Sequence, residues 1–317
     1  MNIQDTYGRT FRTLRVSLTN TCNFSCTYCV TGEDKKEIVT PNVLTYVELA
    51  NIVSRLHKVL NFTSVRLTGG EPLLYSYIIP FIELLSVKGI ENIKLTTNGF
   101  LLKQKAKILA LSGLNHINIS LDALTPQTFA AMARRDCLQQ VLEGIDAAIE
   151  YGLTVKINSV IMRGVNDGEI LPLLNFAITK NISLRYLELM RMGHFYSKDF
   201  DQYYFPMKEI LDVIRTQHLV QDFYREPSAT AHCWSLDNGY EFGIIANESE
   251  PFCSDCDRLR LDNAGNIYGC LSEDKREYIA DIITDEKLLA KKLQTTLTHK
   301  QPLKFKGSAM TMIAIGG

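Results

Sequence analysis

β-Branched apolar runs alternate with runs of helical period along most of this chain, and that rhythm limits its fold more than any other feature. L-R-V-S-L-T (14–19), S-V-R-L-T (64–68), I-K-L-T (93–96), H-I-N-I-S (116–120), T-V-K-I-N-S-V (154–160) and S-L-R-Y-L-E-L (183–189) read as six strands. Thr45-x-x-Glu48 is a capping-box signature for a helix whose Leu49, Ile52, Val53, Leu56 and Leu60 share one face. Helices are expected near 77–88, 101–112 and 168–180, and another opens with Thr125 as its cap and Pro126 in its first turn. Repeated strand–helix units predict a parallel sheet. Six of them suit an open, partial barrel better than the eight of a closed one.

Polar punctuation follows these strands at their C-terminal ends, where barrels build active sites: a cysteine loop, Gly69-Gly70-Glu71-Pro72, Thr96-Thr97-Asn98-Gly99, Ser120-Leu121-Asp122 and Glu188-Leu189-Met190. The rhythm stops near residue 225, which predicts a partial barrel over 1–225 and a small C-terminal domain over 226–317. Within the latter, E-P-S-A-T-A-H-C-W reads as loop, Y-E-F-G-I-I (240–245) as a strand, residues 258–270 as a hairpin turning at Asn263–Gly265, and 284–298 as a polar helix.

Six of the eight cysteines fall into two triads. Cys22, Cys26 and Cys29 form C-x3-C-x2-C; Cys253 and Cys256 form C-x2-C, with Cys270 beyond them. Three thiolates hold three irons of a [4Fe–4S] cube and leave the fourth iron open for chemistry. Zinc completed by a histidine is the alternative, more strongly for the second triad, where His232 is the candidate fourth ligand. Cys137 and Cys233 read as ordinary thiols.

Basic residues stand inside strands. Arg15, Arg66, Lys156 and Arg185 each lie between two apolar or aromatic neighbours, and Arg258 and Arg260 alternate likewise after the second cysteine pair. With the apolar faces packed on helices, these cations point inward. Buried cations need an anion, and guanidinium matches phosphate oxygens, so a polyanionic ligand is expected. Gly69 and Gly70 permit close backbone approach to a ligand. Glu71 is expected to accept a ligand ammonium, with capping of a neighbouring element as its other reading.

Taken together, G-R-T-F-R-T-L-R-V-S-L-T, C-N-F-S-C-T-Y-C, V-R-L-T-G-G-E-P, T-T-N-G, I-S-L-D-A-L, V-K-I-N-S-V-I-M-R-G-V-N, R-Y-L-E-L-M, C-S-D-C-D-R-L-R-L and the terminal Gly-Gly carry a resemblance over nearly the whole length. The chain resembles the radical S-adenosylmethionine (SAM) GTP 3′,8-cyclases of molybdenum cofactor biosynthesis. That resemblance implies a radical SAM partial barrel with a C-terminal domain carrying a second cluster. It implies two [4Fe–4S] clusters, on Cys22, Cys26, Cys29 and on Cys253, Cys256, Cys270, and SAM beside Tyr28, Gly70, Ser120 and Met190. It places GTP against Arg15, Arg66, Thr96, Lys156, Arg185, Arg258 and Arg260, and puts Gly316 and Gly317 with Arg258 and Arg260 among the catalytic residues. It further implies an electron donor and a downstream cyclic pyranopterin-forming enzyme as partners. Thr19-Asn20 and Leu74-Tyr75-Ser76 depart from the family pattern. A radical SAM enzyme that modifies peptides and a zinc-binding interaction module are the competing readings.

Composition narrows the classes further. A net charge of −1 over 317 residues argues against general nucleic-acid binding. No apolar run approaches the roughly 20 residues of a membrane span, and the N-terminus lacks the apolar core of a secretion signal. A cytoplasmic protein is expected, with a homodimer as the candidate assembly.

Overall fold

The computed structural model describes residues 3–31 and 42–316. Six parallel strands run in chain order: β1 (Thr13–Ser17), β2 (Ser64–Thr68), β3 (Ile93–Thr97), β4 (Leu114–Ser120), β5 (Thr154–Ile161) and β6 (Ser183–Glu188). Crossing between them are α1 (Tyr46–Leu60), α2 (Ile78–Val87), α3 (Leu102–Leu111), α4 (Pro126–Ala133), α5 (Leu138–Glu150) and α6 (Ile170–Lys180). The expected partial barrel is present, with strand boundaries within two residues of those read from the pattern. Helix α5 and its junction with α4 went unread.

α1 begins as its signature predicts. Thr45 Oγ1 accepts the Glu48 N–H at 3.3 Å, and Glu48 Oε2 accepts the Thr45 N–H at 2.8 Å. Thr125 occupies the cap position of α4, but its side chain makes no capping bond; its N–H points instead to Glu169 Oε2 at 3.4 Å.

Beyond β6 the chain departs from the reading. Short α7 (Phe200–Tyr203) and amphipathic α8 (Met207–Arg215) lead into β7 (Val220–Tyr224) and β8 (His232–Leu236), neither of which was anticipated as a strand. β9 (Glu241–Ile245) then returns parallel to β6. The hairpin β10 (Arg258–Leu261) and β11 (Asn266–Tyr268) forms as expected, followed by β12 (Arg276–Tyr278), α9 (Glu286–Thr298) and short α10 (Met312–Ile315). All twelve strands make one open sheet in the order β12-β11-β10-β1-β2-β3-β4-β5-β6-β9-β8-β7. The C-terminal strands therefore extend both ends of the barrel sheet instead of forming a sheet of their own.

Alternation sets the layers. Leu14, Val16, Val65, Leu67, Ile93, Leu95, Ile117, Ile119, Val155 and Ile157 are buried in the helix layer, while the residues between them face the concave side. At the end of β6, buried Glu188 accepts N–H bonds from Met207 (2.8 Å), Glu248 (2.9 Å) and Ser249 (3.0 Å), together with the Ser249 hydroxyl. One carboxylate thus ties β6 to α8 and to the loop after β9. Glu188→Ala leaves those donors buried and unsatisfied, and is expected to lower the unfolding free energy by about 3 kcal/mol. A fall in the urea midpoint at constant slope is the readout.

Candidate active site

The loop after β1 carries the first triad and is clamped by the C-terminal end of α4. Thr27 N–H donates to Met132 O at 2.9 Å and Ser25 N–H to Ala133 O at 3.2 Å. Arg135 donates to Asn23 O at 2.8 Å, its guanidinium lying 4.0 Å from the Phe100 ring centre, and Arg134 donates to Val30 O at 3.1 Å. On the other side the loop meets the Gly69-Gly70-Glu71 turn: Gly70 N–H bonds Thr19 O at 2.7 Å and Glu71 N–H bonds Thr21 O at 2.8 Å. A Cβ on Gly70 would stand 2.3 Å from Thr21 O. The close approach that the glycines permit is therefore to the cysteine loop itself.

Cys22, Cys26 and Cys29 line a cavity of about 190 Å³ together with Tyr28, Gly70, Glu71, Asn98, Ser120 and Asp122. Tyr28 donates its hydroxyl to Asp122 at 2.9 Å, and Asp122 also accepts the Val160 N–H at 2.8 Å. Burial pushes the Asp122 carboxyl up to about 6 despite those donors. Glu71 is raised to about 7 by burial; it accepts Leu73 N–H at 2.9 Å, Thr97 Oγ1–H at 2.7 Å and Asn98 N–H at 2.7 Å. Its bonds are those of the capping reading, although it also lines the cavity. Asn98, which further donates to Asn23 Oδ1 at 2.8 Å, and Asp122 were not singled out as site residues; their places at strand ends were the available signal.

A second cavity of about 430 Å³ fills the concave side of the sheet. Cys253, Cys256 and Cys270 lie on its wall, as do Arg15, Arg66, Arg185, Arg258 and Arg260. Lys94 and Lys300 add two further cations, whereas Asp257 is the one carboxylate among the described lining residues. Lys94 alternates between Ile93 and Leu95 just as Arg66 does between Val65 and Leu67, so its role was open to reading. Lys300 lies far along the chain in a polar stretch that carries no such signal. Arg66 donates to Thr96 at 3.5 Å. Burial, then Arg260, Arg66 and Arg258, push the Arg15 guanidinium well below its usual value, and its Nε has no partner among the described residues. Burial also lowers Arg66 and Arg260 to about 10. These are donors set for an anion.

Two expected residues sit elsewhere. Lys156 shares the inner face, level in register with Asn118, but is not itself among the cavity-lining residues; burial and then Arg185, Lys94 and Arg66 lower it to about 8. Met190, two residues past the end of β6, lines the larger cavity and not the one around the first triad. His232 is held by Asp222 at 2.8 Å and stacked on Trp234, and is not among the residues that line the larger cavity with the second triad. Among the described residues, no three Cys, His, Asp or Glu side chains are arranged around a single ion. The three thiols of each triad line one cavity, and their chemistry is the soft-ligand set an iron–sulfur cluster takes.

The C-terminal tail borders the larger cavity through Met312 and reaches Arg260 on its wall. Arg260 donates to Gly316 O, and Gly316 has φ of 76° in a gap where a Cβ would come within 2.9 Å of Ser17 Cβ and 3.1 Å of Thr68 Cγ2. Gly317 lies outside the described residues. Thr96, Asn158, Leu187 and Met312 line both cavities, so the two triads open onto adjoining space.

A profile of the radical SAM superfamily matches residues 16–177, and one described as Molybdenum Cofactor Synthesis C matches residues 182–306. GTP 3′,8-cyclase of Staphylococcus epidermidis is 38% identical over 306 residues, covering 91% of this chain and 88% of the relative. That of Helicobacter pylori strain J99 is 36% identical over 309 residues, 93% and 92% of the two chains. The chain belongs to the radical SAM GTP 3′,8-cyclase family. Two solved structures share its fold. Streptococcus suis SuiB bound to S-adenosylmethionine has a TM-score of 0.65 at 15% identity, over 95% of this chain and 77% of that one. Native anSMEcpe with bound AdoMet has a TM-score of 0.63 at 17% identity, over 91% and 83%. Membership brings an iron–sulfur cluster and SAM as cofactors, which the soft donor set of the cysteine triads fits.

The family's cyclases act on a polyanion, and the inner cations should respond to one. Because Lys156 is lowered to about 8, its charging opposes folding fully below that pH, and the opposition fades as pH rises toward its ordinary value. An anion favours the charged form, so inorganic triphosphate is expected to raise the thermal midpoint most below about pH 8 and less above it. Lys156→Gln should remove that step in a pH series of melting curves with and without triphosphate.

Proposed function

We propose that the chain converts GTP to (8S)-3′,8-cyclo-7,8-dihydroguanosine 5′-triphosphate, the first step of molybdenum cofactor biosynthesis. The observation that carries this reading is the pair of cysteine triads opening onto adjoining cavities with Thr96, Asn158, Leu187 and Met312 as common walls. Cys22, Cys26 and Cys29 would hold the SAM-binding cluster, and Cys253, Cys256 and Cys270 a second one. When bound, the first cluster and SAM supply one-electron cleavage chemistry and a hydrogen-abstracting radical.

The chain's own residues supply position. Gly70, Ser120 and Tyr28 shape the smaller cavity, and the Tyr28–Asp122 bond fixes one wall of it. Arg15, Arg66, Arg185, Arg258 and Arg260 hold the triphosphate, which sets the ribose relative to the first triad; this is catalysis by orientation. Arg260 also holds the tail at Gly316. Arg258, two residues from Cys256 and 3.8 Å from its sulfur, brings the bound nucleotide close to the second triad. Residues 1–225 act as the barrel and 226–317 as the auxiliary-cluster part. The reaction needs a one-electron donor and feeds a downstream enzyme forming cyclic pyranopterin. We place it in the cytoplasm, with a homodimer as the candidate assembly; no helix among the described residues is long and apolar enough to cross a membrane.

Anaerobic reconstitution should give about eight irons per chain, the content of two four-iron cubes. With SAM, reductant and GTP the protein should release 5′-deoxyadenosine and the cyclised nucleotide. Release coupled to a peptide and not to GTP, or a zinc-loaded protein without iron, would defeat the proposal. Arg258→Ala and Arg260→Ala should each weaken GTP binding by about 10- to 100-fold, as expected for loss of a charge-assisted bond, with the iron content unchanged.

A further inference from the structure

The two triads sit in opposite electrostatic surroundings. Among the described residues lining the cavity of the first, the charged side chains are carboxylates, Glu71 and Asp122, both buried, while Arg134 and Arg135 bond the outer backbone of the loop at Val30 and Asn23. Donors to its sulfurs are neutral, with the Phe24 N–H 3.4 Å from Cys22 Sγ. Beside the sulfurs of the second stand cations, with Asp257, the one carboxylate on that cavity wall among the described residues, 3.5 Å from Arg258 Nε. Lys300, only 5% exposed, places Nζ 3.4 Å from Cys256 Sγ and bonds Arg258 O at 2.8 Å and Gly269 O at 3.0 Å. Arg258 Nη1 stands 3.8 Å from the same sulfur. Arg9, also buried, donates to the carbonyl of Cys253 and to that of Gln301 at 2.9 Å.

Arg9 and Lys300 are not equivalent. The Arg9 guanidinium is paired with Asp5 at 2.6 Å, which cancels much of its field. Lys300 has no carboxylate in its ion-pair range among the described residues; its three partners are two carbonyls and a thiol sulfur. An uncompensated buried ammonium costs free energy, and it is retained here against a metal-ligand sulfur. Net charge and hydrogen bonds to the sulfurs are two of the determinants of an iron–sulfur cluster's reduction potential. Each additional negative charge placed on the cluster by reduction is stabilised by a nearby cation.

We propose that Lys300 is a positioning residue that holds the cluster on Cys253, Cys256 and Cys270 at a higher reduction potential than the cluster on Cys22, Cys26 and Cys29. This rests on the two-cluster reading above. It assigns Lys300 a task distinct from nucleotide binding, exerted through Cys256.

The test is a potentiometric titration of the anaerobically reconstituted full chain, followed by electron paramagnetic resonance, in wild type, Lys300→Gln and Lys300→Arg. Added SAM perturbs the signal of the first cluster and so assigns the two reduction steps. The wild type should show the second cluster reduced first. Lys300→Gln should move that step alone to more negative potential, and Lys300→Arg, which keeps the charge, should restore most of the shift. Steps that move together, or a second-cluster step unmoved in Lys300→Gln, would overturn the proposal. So would loss of half the iron in Lys300→Gln, which would make Lys300 a support of the ligand loop. A wild type with only about four irons per chain would instead remove the two-cluster reading itself, so the two failures are told apart by metal content.

Discussion

Strand β10 lies parallel against β1, with Arg258 opposite Thr13 and Arg260 opposite Arg15, and almost everything in the site depends on that ladder. It carries a segment from the far end of the chain onto the first strand of the barrel. The second cysteine pair immediately precedes β10, so the pairing also brings its thiols to the concave face. β1 in turn pairs with β2, setting Arg15 beside Arg66. A row of guanidinium groups on three neighbouring strands is thereby created by backbone register, without any direct contact between the side chains being favourable.

That row is costly in the free protein. Arg15, Arg66 and Arg260 are pushed toward deprotonation by burial first and then by neighbouring guanidinium groups, Arg258 acting on all three. A polyanion entering the cavity relieves this repulsion, so part of the fold's stability is linked to ligand. The smaller cavity has the reverse character, with Asp122 and Glu71 raised by burial. Among the described lining residues cations stand in one chamber and none in the other, and the two meet at Thr96, Asn158, Leu187 and Met312, so a nucleotide triphosphate has one electrostatically favoured end.

Much of this arrangement could be read from the chain because it rests on local periodicity. Two-residue alternation told that Arg15, Arg66 and Arg185 face away from the helices, and cysteine spacing told where soft metal ligands gather. What could not be read rests on long-range closure. Lys300 meets Cys256 across 44 residues, and nothing in T-H-K-Q-P marks it. β7 and β8 were missed because their half-exposed, mixed composition lacks a clean period; their pairing with β9 decides their state. Lys156 was expected at the nucleotide and Met190 at SAM; Met190 instead lines the larger cavity and Lys156 neither, a placement that two-residue alternation does not encode.

Since the inner cations ride on strands and not on loops, their aim depends on parity alone. Inserting or deleting a single residue inside β1, β2 or β10 would rotate the remainder of that strand by one face. Guanidinium groups would then be driven into the layer of Leu14, Val16, Val65 and Leu67, and aliphatic side chains would enter the cavity. Changes in chain length are thus confined to the connections outside the ladder, where the count of residues carries no directional meaning.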